Sequence, residues 1–318
     1  MIGSLIDTAM DRTVVPGYSK FGLAVRRRLP GWPEDPPRME GAVVLVTGAS
    51  SGLGYETARR TAELGASVRV LTRDAERSER LATELVAETA GDVVGVSCDV
   101  SSLDSLHEFC ERFTAEEKRL DVLVNNAGVM PAERTLSDDG VELTFATHVL
   151  GPFVLIDSLK GLLESSAPAR VVNVVSGGLY AQKLDIDDLQ AEEGSYRKAA
   201  VYAKTKRAEL LMGDEWARRL RGSGVVVHAM HPGWTDTPGV QDSMPGFSKV
   251  TKPIIRNLEE GADTIVWLAG APEALESSGE FWCDRKPRPE HRVPFTHESA
   301  DDRRRLWEER VALAGSVS

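Results

Sequence analysis

The sequence predicts an α/β protein: a single domain built on an open, doubly wound parallel sheet of about seven strands, with helices on both faces. Three observations predict it. Short, continuous apolar runs rich in β-branched residues, such as Val43–Val46, Val171–Val175 and Val225–Met230, read as strands buried on both faces. Segments with helical periodicity alternate with those runs, which implies parallel strands joined by right-handed crossovers. A glycine-bearing turn, Thr47–Gly54, stands between the first such strand and the first such helix.

The elements follow in order. Residues 1–40 form an N-terminal extension with Pro16, Pro30, Pro33, Pro36 and Pro37, which forbid one long helix, and a basic run Arg26–Arg28. A short helix before Pro30, carrying Phe21, Leu23 and Val25, is expected. Two readings of this extension stay open: a segment packed on the core, or an interfacial or partner-binding segment making peripheral contact. The main domain spans 41–290. It reads as strand Val43–Val46, helix Gly52–Leu64, strand Ser67–Leu71, helix Ala75–Glu88, strand Val93–Cys98, helix Leu103–Phe113 and strand Val122–Val124. Then come helices within Val141–Leu163, strand Val171–Val175, helix Tyr202–Arg219, strand Val225–Met230, helix Gly261–Leu268 and a last strand at Gly279–Trp282. The tail, 291–318, carries a helix over Glu298–Ala314 whose mixed charges suit a solvated or edge-packing role.

Composition narrows the function. With 38 basic and 49 acidic residues the net charge is −11, which disfavours nucleic acid as a partner. Cys98, Cys110 and Cys283 are too few and too scattered for a disulfide framework, and fit a reducing, cytoplasmic setting. His228 and His231 lack suitably spaced partners, so no metal site is expected. No uninterrupted apolar run approaches about 18 residues, so no transmembrane segment is expected. Met1–Met10 has no basic start and is interrupted by Asp7, so neither is a signal peptide.

Doubly wound sheets bind ligands outside the carboxyl ends of their strands, so the residues after each strand are the candidates. Thr47-Gly48-Ala49-Ser50-Ser51-Gly52-Leu53-Gly54 opens directly into a helix. Its glycines let the backbone approach a pyrophosphate, and the helix N-terminus offers free N–H groups and partial positive charge. A purely structural turn is the alternative. At the end of the second strand, Thr72 stands where an acid would bind an adenosine ribose and repel a 2′-phosphate. Arg73 follows, with a planar fork suited to that phosphate, so NADP(H) is expected over NAD(H). Asp99 is placed to meet an adenine amino group, with Val100 beside the ring; otherwise it is an acid of the next helical turn.

The Thr47–Gly54 run, Asn125-Asn126-Ala127-Gly128 and Tyr202-Ala203-Lys204-Thr205-Lys206 together resemble the short-chain dehydrogenase/reductase family over about residues 41 to 285. Within it the likeness is to the dehydrogenase/reductase member-twelve branch. Ser176-Gly177-Gly178, Gln182-Lys183-Leu184, His231-Pro232-Gly233-Trp234, Asp236–Val240, Met244–Phe247 and Asp284–Pro287 carry it. The resemblance implies a Rossmann-type fold and an NADP(H)-dependent oxidoreductase that moves a hydride between nicotinamide and an alcohol or carbonyl carbon. It implies that Asn125, Asn126, Ala127 and Gly128 support the sheet and the cofactor-facing wall. Pro232 and Gly233 then redirect the chain, Thr237 contacts the pyrophosphate or the carboxamide side of the nicotinamide half with Thr235 beside it at the cofactor, and Lys206 bonds the nicotinamide ribose. Family members pair through the tyrosine-bearing helix, so a homodimer or homotetramer is the implied assembly.

Carbonyl reduction needs a hydride donor, an acid for the forming alkoxide and a hydrogen bond on the same oxygen. Tyr202 and Lys206 lie four apart on a helix and share a face. An ammonium about 4 Å from the phenol, at an effective dielectric of about 20, would stabilise phenolate by about 4 kcal/mol before desolvation. A lowered Tyr202 pKa is therefore expected. Ser176, directly after the fifth strand, would hold the substrate oxygen. Tyr202 stands 26 positions after it, a spacing similar to retinol-dehydrogenase-like members, and the insert Leu179–Val201 is expected at the site rim. His148 takes the place of the family's asparagine in a proton relay; relay through its ring and loss of the relay both stay open. Residues 238–256 read as a lid, whose Met244, Phe247, Val250, Ile254 and Ile255 either suggest an apolar small-molecule substrate or simply pack the lid on the body; both stay open. A weakly active dinucleotide-binding sensor or scaffold is the alternative from another class. A nucleotide-sugar epimerase or dehydratase would need more chain after Asp284.

Overall fold

The computed structural model describes residues 2–315. Seven strands form one parallel sheet: β1 (Val43–Thr47), β2 (Ser67–Thr72), β3 (Val93–Ser97), β4 (Val122–Asn125), β5 (Ala169–Val174), β6 (Val225–Met230) and β7 (Phe281–Trp282). Their spatial order is β3-β2-β1-β4-β5-β6-β7, so the winding reverses between β1 and β4. That reversal opens a crevice at the strand ends, where such sheets take ligands. All five residues of β1 are buried, as its unbroken valine-rich run requires.

The helices are α1 (Ile2–Arg12), α2 (Val14–Tyr18), α3 (Lys20–Arg26), α4 (Gly52–Glu63), α5 (Ala75–Thr89), α6 (Leu103–Glu116) and α7 (Leu143–Phe145). After them come α8 (Gly151–Ser165), α9 (Lys198–Arg219), α10 (Pro238–Ser243), α11 (Pro245–Thr251), α12 (Leu258–Gly270) and α13 (Ala300–Ala314). Local chemistry sets several starts. Asp74 accepts a hydrogen bond from the Arg77 N–H at 2.7 Å to cap α5, and Asn257 with Glu260 forms a capping box at α12. One apolar core lies under α6, α8 and α9, and a second lies under α4, α5 and α12.

Three features differ from the sequence expectation. A π-helical turn, Ala146–Leu150, joins α7 to α8, because His148 and its neighbours are drawn into the core. The resulting 23-residue helix, Leu143–Ser165, is long and apolar enough to cross a membrane, although no such segment is evident as an uninterrupted run. In this fold 72% of its most apolar window is buried inside the protein. The N-terminal extension holds three helices rather than one. Its buried Asp7 bonds Arg26 at 2.8 Å and Arg288 at 3.0 Å, partners far along the chain that local periodicity cannot reveal. At the other terminus α13 packs on α8 and α9: the Trp307 ring sits 5.2 Å from both Phe153 and Trp216.

Candidate active site

A cleft of about 460 Å³ opens at the strand ends across the β1/β4 reversal. Gly48, Ser50, Ser51, Gly52 and Leu53 form one end, Arg73, Asp99 and Val100 one side, and Asn126, Ala127 and Gly128 the floor. Pro232, Gly233, Thr235 and Thr237 lie opposite, and Ser176, Tyr202 and Lys206 stand at the far end. Chain segments more than a hundred residues apart are thus gathered around one space.

The glycine loop is shaped for close approach. Gly48 has φ +64°, and a Cβ there would fall 2.7 Å from the Ala127 Cα. A Cβ on Gly54 would fall 2.4 Å from the Gly48 carbonyl oxygen. Ser51 starts α4 without a side-chain cap, so the first N–H groups of that helix are left for a ligand. This cradle fits a pyrophosphate: free donors, a partial positive charge and no side chain in the way.

Two residues of the glycine loop expected at a cofactor, Thr47 and Gly54, stand behind the wall, as does Asn125, expected to support the sheet. The Thr47 hydroxyl accepts from the Asn126 and Ala127 N–H groups at 2.9 and 3.0 Å, pinning the β4 end to the glycine loop. The Asn125 amide donates to Asn173 at 2.9 Å across β4 and β5, within the sheet. Gly54 is packed against Gly48 and Asn126. Each shapes the cleft without lining it.

At the nucleotide end Arg73 is joined by Arg77, one turn into α5, whose guanidinium lies 3.4 Å from the Ser50 carbonyl. Arg77 was legible as a second fork four positions after the first. Asp99 stands in the turn ahead of α6. It lines the cleft, and its Oδ1 also accepts from the Ser101 N–H at 2.9 Å and hydroxyl at 2.7 Å.

At the reactive end α9 carries Tyr202 and Lys206 on one face, with the ammonium 5.9 Å from the phenol ring centre. Lys206 is buried, donating to the Val174 carbonyl at 2.9 Å and to Glu209 at 2.7 Å. Glu209 lies one turn further along α9, and its other carboxylate oxygen is buried without a partner among the described residues. Burial pushes its pKa up to about 7 against the pull of Lys206. An acid at this position, inside an apolar helix face, was a readable signal. Burial also raises the Tyr202 pKa. Lys206 and the Ser176 hydroxyl pull it down, and Glu209 pushes it up. The net direction is upward, so the expected lowering does not hold: burial and Glu209 together outweigh the lysine.

His148 lies outside the cleft lining and is fully buried. A backbone N–H can only donate, so its Nε2 accepts from Val129 at 3.1 Å, and Nδ1 carries the proton to Thr205 Oγ1 at 2.8 Å. That hydroxyl in turn donates to the Tyr202 carbonyl at 2.9 Å. Burial and the charge of Lys206 hold the ring neutral, well below the usual histidine pKa. Neither nitrogen is free to pass a proton to Lys206. The ring stands edge-on to Tyr202 at 5.1 Å and braces it.

Comparison with known proteins agrees with this geometry. The family model described as short chain dehydrogenase matches residues 42–246. This chain belongs to the short-chain dehydrogenase/reductase family. The dehydrogenase/reductase SDR family member 12 of Bos taurus is 41% identical over 83% of this chain and 82% of its own. The retinol dehydrogenase 14 of Mus musculus is 38% identical over 88% of each. Among solved structures, an uncharacterized protein from Mycobacterium Paratuberculosis matches with a TM-score of 0.71 at 28% identity, covering 89% of this chain and 96% of that one. The Pseudomonas aeruginosa RhlG/NADP active-site complex matches at 0.63 and 27%, over 76% and 94%.

Two surroundings of this short-chain dehydrogenase cleft depart from expectation. The insert Leu179–Val201 contributes no cleft-lining residue; it lies over the loop before α7, where Arg134 donates to the Gln190 carbonyl at 3.0 Å. Of the five apolar lid residues singled out from the sequence only Met244 lines the cleft, joined by Pro238, Gly239, Val240 and Ser243. Phe247 packs on Trp234 at 5.4 Å, Ile255 is buried elsewhere, and Val250 points into solvent. His228 and His231 are spent on structure: His228 bonds Ala274 and Trp282, and His231 accepts from Gly233. Among the described residues no group of three His, Cys, Asp or Glu is placed to hold a metal.

Proposed function

We propose that this short-chain dehydrogenase is an NADP(H)-dependent reductase of apolar aldehydes or ketones, with Tyr202 as the proton donor. The reading rests on one observation: Ser176, Tyr202 and Lys206 line the same cleft as the glycine cradle and the Arg73–Arg77 pair. The bound dinucleotide supplies the hydride. Everything else is done by the chain itself.

A carbonyl accepting hydride needs a proton at its oxygen and a fixed position while it reacts. A phenol whose pKa is raised stays protonated at neutral pH, which suits an acid better than a base. Lys206 eases the departure of that proton through its positive charge, and its bonds to Val174 and Glu209 hold the ammonium in place. The Ser176 hydroxyl, which accepts from the Gly178 N–H at 3.2 Å, can still donate to the substrate oxygen. His148 acts as a positioning residue for the tyrosine ring.

Two forks beyond the end of β2, Arg73 and Arg77, with Thr72 at the strand end and Asp74 spent on capping α5, support a 2′-phosphate over a free ribose hydroxyl. NADP in the active-site complex of the relative at 27% identity is consistent with this. Val129, Met130, Leu143, Val175, Val240 and Met244 line the cleft, which favours an apolar substrate. NADPH oxidation measured over lipophilic and polar carbonyl compounds tests the reading. Reduction confined to lipophilic members is expected. Tight NADPH binding without reduction of any of them would instead favour a dinucleotide sensor.

A further inference from the structure

The N-terminal extension is inside out. A surface helix normally turns its apolar face to the core and its charges to water. Among the described side chains of α1 the buried positions are Asp7 and Asp11, one turn apart, while Leu5, Ile6 and Ala9 are exposed. The reason is electrostatic. Asp7 is gripped by Arg26, Lys286 and Arg288, and Asp11 bonds Arg292 at 2.7 Å. Arg26 also pairs with Asp284, which is held by Arg256 at 2.7 Å. A buried ion network therefore fixes the helix by its polar side and leaves the apolar side unpartnered.

The remaining exposed apolar residues of the extension continue this surface: Val14 and Val15 on α2, and Phe21 and Val25, four apart, on α3. Its charge is one-sided. Asp7 and Asp11 are the only acids among residues 2–33, and both are buried, whereas Arg12, Arg27 and Arg28 are exposed and Lys20 half-buried. One of these, Arg27, shares its charge with Asp263. On a chain of net charge −11, this is a local reversal of sign.

The lid repeats the pattern beside it. Between Asp242 and Glu259 there is no acid, Lys249 and Lys252 are exposed, and Val250 on α11 is 80% exposed. The two regions are joined: the Lys20 N–H donates to the Ile254 carbonyl, and the Trp234 N–H to the Tyr18 carbonyl, each at 2.9 Å. Apolar side chains ringed by cations and free of exposed acids complement an interface that is oily within and anionic at its surface.

The geometry points to a docking face, made by α1–α3 and the outer side of α11, that seats this protein on an anionic lipid membrane beside the mouth of its cleft. The inference does not depend on the catalytic reading. Exposed apolar surface of this extent on a soluble domain marks an interaction site. The absence of exposed acid from residues 2–33 and from α11, with the exposed Asp242 of α10 outside that face, is what selects a lipid surface over a generic protein partner.

Flotation of the full chain with vesicles tests it. Vesicles of phosphatidylcholine alone are compared with vesicles containing phosphatidylserine, at low and raised salt. Binding to the anionic vesicles, reversed by salt, is expected. Arg12→Gln and Arg28→Gln should each weaken partitioning about fivefold. The double variant Leu5→Gln/Phe21→Gln should weaken it by about tenfold or more. All four residues are exposed, so unchanged thermal melting will show that the fold is intact. Equal binding to neutral vesicles, or none to either kind, would overturn the inference. So would a dimer in light scattering that Leu5→Gln/Phe21→Gln converts to monomer, since the face would then belong to a second copy.

Discussion

Removal of the Lys206 charge tests how the fold makes a tyrosine useful as an acid. The ammonium lies 5.9 Å from the Tyr202 ring centre, inside protein. At an effective dielectric of about 20, one unit charge at that distance is worth about 2.8 kcal/mol to the phenolate. That corresponds to about 2 pKa units, or about 100-fold in the proton-transfer equilibrium. Lys206→Met should therefore raise the Tyr202 pKa by up to about 2 units and slow reduction by about 10- to 100-fold. The substitution also strips Glu209 of its counter-ion, so that acid will hold its proton to higher pH and stop opposing the phenolate. Lys206→Met/Glu209→Gln removes this complication and should match the single variant in rate. The direct assay is ultraviolet titration of the phenol, taken as the difference from the same protein with Tyr202→Phe. A Tyr202 titration that stays in place when Lys206 is lost would refute the electrostatic argument, whatever happens to turnover.

Other consequences are open to separate measurement. Arg73→Asp should shift the NADPH-to-NADH preference by about 10- to 100-fold through loss of charged hydrogen bonds, and Arg77→Asp should add to it. Equal affinity for the two dinucleotides before and after would remove both arginines from that role. Gly54→Ala drives a Cβ to 2.4 Å from the Gly48 carbonyl and should cost about 1–3 kcal/mol of stability along with NADPH affinity; an unchanged melting temperature would contradict the close packing. Glu209 has a folded pKa of about 7, raised from 4.5, so the folded state keeps a proton that the unfolded chain has already lost. Stability should fall as pH rises through that window, and the melting temperature of Glu209→Gln should gain on the parent from pH 5 to pH 8. Parallel curves would show that Glu209 does not titrate there.

Much of this was readable in the chain because it is local. The valine-rich runs are strands because β-branched side chains suit a sheet buried on both faces, and six of the seven strands are such runs or close to them. β7 is only two residues, Phe281–Trp282, and was marked by its glycine and aromatics rather than by any period. Tyr202 and Lys206 share a face because four positions nearly complete a helical turn. What was hidden is what depends on distant partners. Thr47 and Gly54 sit in the glycine motif, yet the Thr47 hydroxyl is spent on Asn126 and Gly54 is packed on Gly48, so motif membership did not mean lining the cleft. α1 could not be oriented from its own periodicity, because Arg26, Arg288 and Arg292 draw its acids inward. The lid's apolar residues suggested a pocket lining, yet Phe247 packs on Trp234, Ile255 is buried, Val250 faces solvent and of the five only Met244 lines the cleft.

The tyrosine itself is the point on which the account stands. Single-turnover reduction of a lipophilic aldehyde by Tyr202→Phe, with NADPH affinity measured on the same preparation by fluorescence, separates binding from chemistry. The prediction is a rate lower by about 100- to 10,000-fold with the dissociation constant unchanged, because the hydroxyl lies in the reactive end of the cleft and the ring is still braced by His148. Hydride transfer at the parent rate in that variant would contradict it.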